Sequence, residues 1–390
     1  MIDFPANPTT GQVFSAGNYA WQFDGVHWVS MAPLNPASNP NKLINPFLEI
    51  DQANEGAAVA LTTSSTKYTA DGFQAGYVNT TAPSGIVTRD TNTPPPGYGY
   101  SIVLQTNVPI ATVGVGDWMA MAQVIEADDL YDTAQGTVNA RPLTLSFWFL
   151  ATIAGTYYVS IHNQPTTVSY IAPFAIATAN VWQFFTITIP GNTAAAWSLN
   201  GNGPGALVYW VLAAGTNRQA PTLNNWVAGN FLAGPGMNNA IMTTANAYGR
   251  LGPCKLEVGS VATPMLRRSI QEELSRCQRY YEKSYDVGTA VGTATGANTG
   301  WFIVFMNNLT AAGRSAGGST SFKVTKRASP TITMYSGVTG AAGVLRDEYA
   351  TTDVTANLNA HNSNLFGVYG TTTYSGAVQF NAHWVADARL

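Results

Sequence analysis

Apolar and polar residues alternate over short stretches through most of this chain, the period-two pattern of half-buried strands. RPLTLSFWFLA carries it most clearly, with Leu143, Leu145, Phe147 and Phe149 on one face. GYSIVLQTNV puts Ile102 and Leu104 together, and TYYVSIHN, VSYIAPFAI, VWQFFTITIP, GALVYWVLAA and LGPCKLEVG read as further strands between Gly, Pro and Asn turns. NKLINPFLEIDQ supplies Leu43, Ile44, Phe47 and Ile50 for an edge strand, and Asp71-Gly72 marks a turn before the aromatic strand that follows. This recurrence predicts a β-sandwich over residues 41–266. Within it, residues 215–247 have no clear period and several Gly-Pro breakers, which reads as a long unstructured insertion.

The two ends of the chain differ from this middle part. GQVFSAGNYAWQFDGVHWVSM reads as three short strands, with turns at Ala16-Gly17-Asn18 and Asp24-Gly25, and Tyr19, Trp21 and Phe23 on one face. So short a unit cannot bury enough surface to stand alone. Phe14, Tyr19, Trp21, Phe23 and Trp28 are therefore expected to pack on a partner, as attachment or assembly residues. The proline-rich MAPLNPASNPN is a linker, so residues 1–40 form a small β unit and its tether. A linking helix is expected within 267–284, over SIQEELSRCQRYYEKS at 269–284. Ser269 and Glu272 make a capping box, Ile270, Leu274, Cys277 and Tyr281 share a face, and Glu272 precedes Arg276 by one turn. This charged run reads as a rigid joint or an inter-subunit contact. Residues 285–390 form a second β-sandwich, ending in a strand that alternates Val378 and Phe380 and then, after a bulge or a side switch, His383, Trp384 and Val385. The fold class is all-β.

Composition sharpens this picture. Apolar residues make up 46% of the 390, but charged residues only 10%, with Lys plus Arg at 18 and Asp plus Glu at 21. A polar, nearly uncharged surface loses little when it is desolvated, which suits an assembly or the binding of neutral polar ligands such as glycans. So few cations argue against a nucleic-acid partner. No apolar run reaches a membrane span, and MIDFPANPTTG has neither the basic nor the apolar region of a secretory signal. Two cysteines exclude a four-thiolate zinc site. Cys277 reads as a small buried hydrophobe, and a bond to Cys254 is the alternative.

Candidate chemistry is sparse. His27, His162, His361 and His383 lack metal-binding spacing, Gly114 and Gly116 make only half a dinucleotide fingerprint, and no cofactor or catalytic residue is assigned. Glu126, Asp128, Asp129 and Asp132 cluster in sequence. Glycoside hydrolysis needs two carboxyls facing across a cleft, so the cluster reads first as a solvated turn, second as a cation site and last as a catalytic pair. Sugars stack on aromatic rings with neutral polar groups on their hydroxyls. The candidates are Trp118, Trp197, Trp226, Trp301 and the tyrosines. Trp226, with Asn224 and Asn225 in NNWVAGN, is taken as the ligand-binding set, the alternative being a loop anchor packed on the sandwich.

Particular segments carry a family likeness. GQVFSAGNYAWQFDGVHWV resembles the short N-terminal element of tailed-bacteriophage tail-fibre and structural proteins. NKLINPFLEIDQANEG followed by TADGFQAG resembles the opening of a jelly-roll, carbohydrate-binding-like module of such virion appendages. Its ending is similar to Leu256, Glu257, Val258 and Gly259, then Pro264, then Glu272, Glu273, Leu274, Cys277, Gln278, Arg279, Tyr280 and Tyr281 here. The resemblance implies a virion fibre or appendage protein on tail or head, homotrimeric and joined to other virion proteins through its N-terminus. Its β-sandwiches would be presented for adsorption to host-surface polysaccharide. A virion structural or capsid decoration protein without a ligand is the alternative, and a polysaccharide depolymerase the third reading.

Overall fold

A computed structural model describes residues 4–16, 19–30, 40–62, 64–78, 84–296, 302–309 and 313–390. The first sheet is β1 (Val13–Ala16), β2 (Tyr19–Phe23) and β3 (Trp28–Ser30), antiparallel in that order. Asp24 Oδ1 accepts from the backbone N–H groups of Val26 and His27, both at 2.7 Å, and closes the predicted hairpin turn. Phe14 lies opposite Trp21, and Phe23 opposite Trp28. The ring of Phe4 packs 5.2–5.3 Å from Phe14, Trp21 and Trp28. These rings are half-buried on one another. Tyr19 lies in β2, but its side chain, the turn residues Gly17 and Asn18, and the linker 31–39 are outside the described residues.

The middle of the chain is a jelly-roll sandwich of two antiparallel sheets. Its strands in chain order are β4 (Val59–Leu61), β5 (Ser65–Tyr68), β6 (Phe73–Val78), β7 (Ser84–Asp90), β8 (Ser101–Val108) and β9 (Trp118–Glu126). They continue with β10 (Leu143–Ala151), β11 (Gly155–Asn163), β12 (Val168–Ile176), β13 (Gln183–Ile189), β14 (Pro204–Ala214), β15 (Trp226–Ala228) and β16 (Tyr248–Val258). One sheet has the order β13-β10-β16-β8-β7-β4, the other β15-β12-β11-β14-β9-β6-β5. The chain crosses between the sheets at eight of the twelve connections, so residues distant in sequence meet in one core. Leu143, Leu145, Phe147 and Phe149 all point into it, and Phe147 packs on Phe174, Phe185 and Trp210.

Two expectations for this module need correction. Residues 41–50 are mostly buried but form no strand. Asn45 and Leu48 take left-handed φ angles of 49° and 62°, which break an extended ladder. Side chains replace the ladder bonds: the Gln123 amide accepts from Ile44 N at 2.8 Å and donates to Ile44 O at 3.0 Å, and Asn45 donates to Ile50 O and Asp71 O. The stretch 215–247 is irregular but packed. It contains β15 and the short α1 (Ala240–Thr243), and Leu232, Ala233, Ile241 and Met242 are buried.

The linking helix is shorter than its charge pattern suggested. α2 runs over Ile270–Gln278, with Ser269 Oγ accepting from Glu272 N at 3.2 Å. Its face is turned from the one expected. Glu273 is buried, where its carboxylate accepts from Asn45 N at 2.6 Å, so Ile270 is left 47% exposed. Glu272 pairs with Arg268, and Arg276 with Glu273, in place of the Glu272–Arg276 pair. Tyr281–Lys283 is β17, already a strand of the last sandwich.

That sandwich continues with β18 (Phe302–Leu309), β19 (Ser315–Ser321), β20 (Thr331–Tyr335), β21 (Val344–Asp347) and β22 (Thr352–Thr355). It ends with β23 (Asn357–His361), β24 (Leu365–Thr371) and β25 (Gly376–Asp387). β25 is the spine: its first half pairs with β18 and β21, its second with β17 and β20. The expected bulge or side switch in β25 is absent. Val378, Phe380, Ala382, Trp384 and Ala386 keep one face throughout, while His383 and Val385 are buried on the other. β19, β24 and β23 form the opposing sheet. The two sandwiches meet through α2 and the last residues. Lys326 Nζ lies 2.5 Å from Glu282 Oε2 with both side chains fully buried, Arg327 donates to Asn202 O and Ala388 O, and Arg389 lies over the rings of Tyr68 and Tyr281.

Candidate functional site

β9 leaves its sheet at Glu126, turns through a 3-10 helix over Ala127–Thr133 and reverses at Ala134 and Gly136, whose φ angles are 50° and 80°. Facing it is the connection from β13 to β14. The two loops are laced together by backbone and amide bonds. Ala127 N donates to Gly203 O at 2.9 Å, Gly136 N to Asn192 O at 2.6 Å, Asn192 N to Gln135 Oε1 at 2.7 Å, and Gly201 N to Asp128 Oδ1 at 2.5 Å. Bonds at four points hold both loops in one arrangement.

Between them lies an open groove of about 650 Å³, within the range of ligand sites. Tyr131, Gln135, Thr137, Asn139, Trp197 and Asn200 line it, and none of its lining residues is charged. The Tyr131 side chain is 74% exposed and Trp197 is half-buried, so the groove offers rings beside amides. A Cβ on Gly136 would lie 2.6 Å from Ala195 O and 3.2 Å from Trp197 Cδ1, so this glycine sets how closely the turn approaches the indole.

Trp226 stands behind this surface rather than on it. Its ring meets Trp197 edge-to-face at 5.4 Å and Tyr170 at 5.6 Å, and its indole N–H donates to Pro190 O at 2.7 Å. Trp226 is thus half-buried as a loop anchor that supports Trp197. Asn224, at φ 56°, donates its backbone N–H to Ile171 O, and the Asn225 side chain accepts from Trp226 N at 2.9 Å. Neither asparagine lines the groove. Trp197 was among the candidate rings, but AAAWSLN gave no sign that the turn at 131–139 would come to face it. Trp118 packs on Tyr209 in the sandwich, and Trp301 lies outside the described residues.

The acidic stretch does a different job. Glu126 is buried and accepts from Arg279 Nε at 2.9 Å, Arg279 Nη2 at 2.5 Å and Tyr280 OH at 2.5 Å. Asp132 pairs with Lys42 at 2.5 Å. Burial raises the Asp129 carboxyl above its ordinary range, opposed by Arg276. Glu126, Asp128, Asp129, Arg276 and Arg279 surround a cleft of about 210 Å³ at the joint with α2, so cations face these carboxylates. Among the described residues no three His, Cys, Asp or Glu side chains are grouped to hold a metal ion.

The remaining candidates are structural. Cys254 and Cys277 are buried free thiols, not a disulfide. Gly114 belongs to a turn closed by the Asp117 carboxylate at 2.7 Å. His162 lies 2.5 Å from Ser160 Oγ, and burial holds its ring down to about 4. His383 stacks on Tyr285 at 3.9 Å, and burial likewise depresses it to about 4.

Comparison with known proteins gives distant likenesses only. No family model and no curated protein matches the sequence. Among solved structures, the chain is similar to the enzymatically active domain of tailspike protein 4 of bacteriophage CBA120, at 13% identity and a TM-score of 0.26, over 54% of this chain and 22% of that one. It thus spans about a fifth of the tailspike domain. It is also similar to the N-terminal CBM22-1-CBM22-2 tandem domain of Paenibacillus barcinonensis Xyn10C, at 7% identity and a TM-score of 0.26, over 87% and 92% of the two chains. A third is the N-terminal cellulose-binding domain of Cellulomonas fimi β-1,4-glucanase C, at 14% identity and a TM-score of 0.24, over 50% and 91%.

Proposed function

We propose that this protein binds a neutral glycan in the groove between Tyr131 and Trp197, as a fibre or appendage protein of a tailed-phage virion. The observation that carries the binding role is the groove itself: aromatic rings and amides, no charge, on loops laced in place before any ligand arrives. A sugar ring lays its apolar face on Trp197, and its hydroxyls reach Asn139, Asn200 and Thr137. Preorganised loops lower the ordering cost of binding. Asn224, Asn225 and Trp226 act from behind, by fixing the indole of Trp197.

The virion role rests on the resemblance of residues 1–31 and of the segments that bracket 41–285. Phe14, Trp21 and Trp28 pack around Phe4, Phe23 packs on Trp28, and each ring is only half-buried, which supports attachment to a neighbouring chain; the homotrimer rests on the resemblance alone. The reading includes no catalytic step. Glu126 and Asp132 are engaged by cations and Asp128 by a backbone N–H, which favours a binder over a depolymerase.

The test is an array of uncharged oligosaccharides and host-surface polysaccharides, followed by calorimetry on each hit with the intact chain and with Trp197→Ala. Binding abolished by Trp197→Ala with the fold retained supports the reading. Failure to retain any neutral glycan overturns it in favour of a structural or decoration role.

A further inference from the structure

From a second set of rings, remote from the groove in sequence, we infer that the C-terminal sandwich carries its own saccharide-binding platform, built on Tyr349 and Tyr374. Tyr349 lies in the turn between β21 and β22, and Tyr374 in the connection from β24 to β25. They are 42% and 44% exposed, and their rings lie near-parallel at 21° with centroids 5.9 Å apart. Phe305 on β18, 50% exposed, extends the row 6.4 Å from Tyr349. This contrasts with a chain that otherwise buries most of its large rings.

The two turns are fixed to one another from beneath. The Asp347 carboxylate is fully buried, and its Oδ1 accepts from the backbone N–H groups of Tyr349 and Ala350, each at 3.1 Å. Its Oδ2 accepts from the Thr372 hydroxyl, and Thr372 Oγ1 in turn accepts from Tyr374 N at 3.0 Å. One buried carboxylate and one hydroxyl thus set the positions of both tyrosines. Neither phenol oxygen has a hydrogen-bond partner among the described residues, so the polar tips are free.

The surroundings select the ligand class. On β25, Gln379 lies opposite Phe305 and Asn381 opposite Ile303, which puts amides and apolar groups on one face. Gln379 donates to Asn381 at 3.3 Å, and Asn381 donates to Glu348 at 2.9 Å. A protein partner seated on the rings would have to desolvate Glu348 and the Gln379 amide, at a cost. A saccharide stacks its apolar face on the rings and satisfies the same groups with its hydroxyls.

The experiment uses the full chain with Trp197→Ala in the background, so that failure of the groove reading and failure of the platform are told apart. Maltotriose, cellotriose and β-1,4-galactotriose are tested at millimolar concentration by saturation-transfer difference NMR. At least one shows transfer, and adding Tyr349→Ser with Tyr374→Ser weakens it by about tenfold, the loss expected from two stacking rings. Tyr349→Phe with Tyr374→Phe keeps the rings and most of the binding, which separates stacking from misfolding. No transfer from any of the three sugars overturns the proposal. So does transfer that survives the Ser substitutions. A change in assembly mass caused by those substitutions, without sugar binding, overturns it in favour of a contact between copies of the chain.

Discussion

Acidification loads the two buried histidines in opposition to the fold. His383 is 1% exposed, stacked on Tyr285, with Ser284 Oγ and Thr295 Oγ1 each 3.1 Å from its ring nitrogens. His162 is fully buried beside Ser160. Burial depresses both from 6.5 to about 4. A base depressed in this way is protonated first in the unfolded chain, so stability falls as pH drops through 6.5 and the loss is complete below about 4. Over about 2.5 pH units, at about 1.4 kcal/mol each, every ring withdraws about 3 kcal/mol. Asp71 works the other way. Burial raises it from 3.8 to about 6, so the folded state takes up its proton first and regains about 3 kcal/mol as pH falls through the same window. For these three groups the net loss between pH 6.5 and 4 is about 3 kcal/mol. Urea unfolding across that range measures it. His383→Gln, which keeps an amide for Ser284 and Thr295, flattens the acid limb by about 3 kcal/mol, and Asp71→Asn steepens it. An acid limb unchanged by His383→Gln refutes the reasoning.

Other expectations follow from single contacts. Glu282→Leu or Lys326→Met alone lowers stability by about 3–5 kcal/mol, because each leaves a buried charge unpaired. Glu282→Leu with Lys326→Met together costs only about 1–3 kcal/mol, for the lost acceptor of Lys323 N, and denaturant titration of the four chains gives the cycle. Gly136→Ala costs about 1–3 kcal/mol through its left-handed backbone and the clash with Ala195 O, and it weakens glycan binding by moving Trp197; calorimetry on the melt and on the sugar reads both. Removing residues 1–40 leaves the thermal transition of the remainder within about 2 °C, since the backbone N–H groups of Gly11, Gln12, Phe23 and Asp24 all donate within the segment, and native mass of the two chains tests whether that segment holds copies together.

Much of the sandwich was legible because strand alternation is a local property. Leu143 through Phe149 announce one buried face, and Asp24-Gly25 marks a turn in which Asp24 bonds Val26 and His27, two and three residues on. What stayed hidden depends on partners far away in sequence. Ile44 is held by Gln123 and Asn45 by Glu273, 79 and 228 positions on, so a segment that scans as a strand is bent by amides invisible from its own composition. The same bond explains why the apolar face of α2 was misassigned: a carboxylate with a buried donor outcompetes Ile270 for the interior. The groove was hidden for the same reason. Gln135 and Asn192 are 57 positions apart, and their bond is one of the four that make a site of two unremarkable loops. Trp226 was singled out because its loop looked exposed, whereas its ring is half-buried behind Trp197, the ring it supports.

Charge placement ties these features together. The chain has few charges, and many of them lie where the two sandwiches meet: Arg279 on Glu126, Lys326 on Glu282, Lys283 on Glu55, and Arg389 on Asp387 between two tyrosine rings. Two of these pairs, Arg279–Glu126 and Lys283–Glu55, tie the charged run at 267–284 to the first sandwich. A buried ion pair tolerates little displacement, because moving either partner exposes the other to an unpaired, desolvated state. Apolar surfaces slide; these contacts do not. Charge is therefore concentrated where relative position must be fixed and is absent from the lining of the groove, where a neutral ligand would otherwise compete with solvated ions. On this account the scarcity of charge and its location express one constraint: the joint holds its angle, while the Trp197 groove stays free of ions.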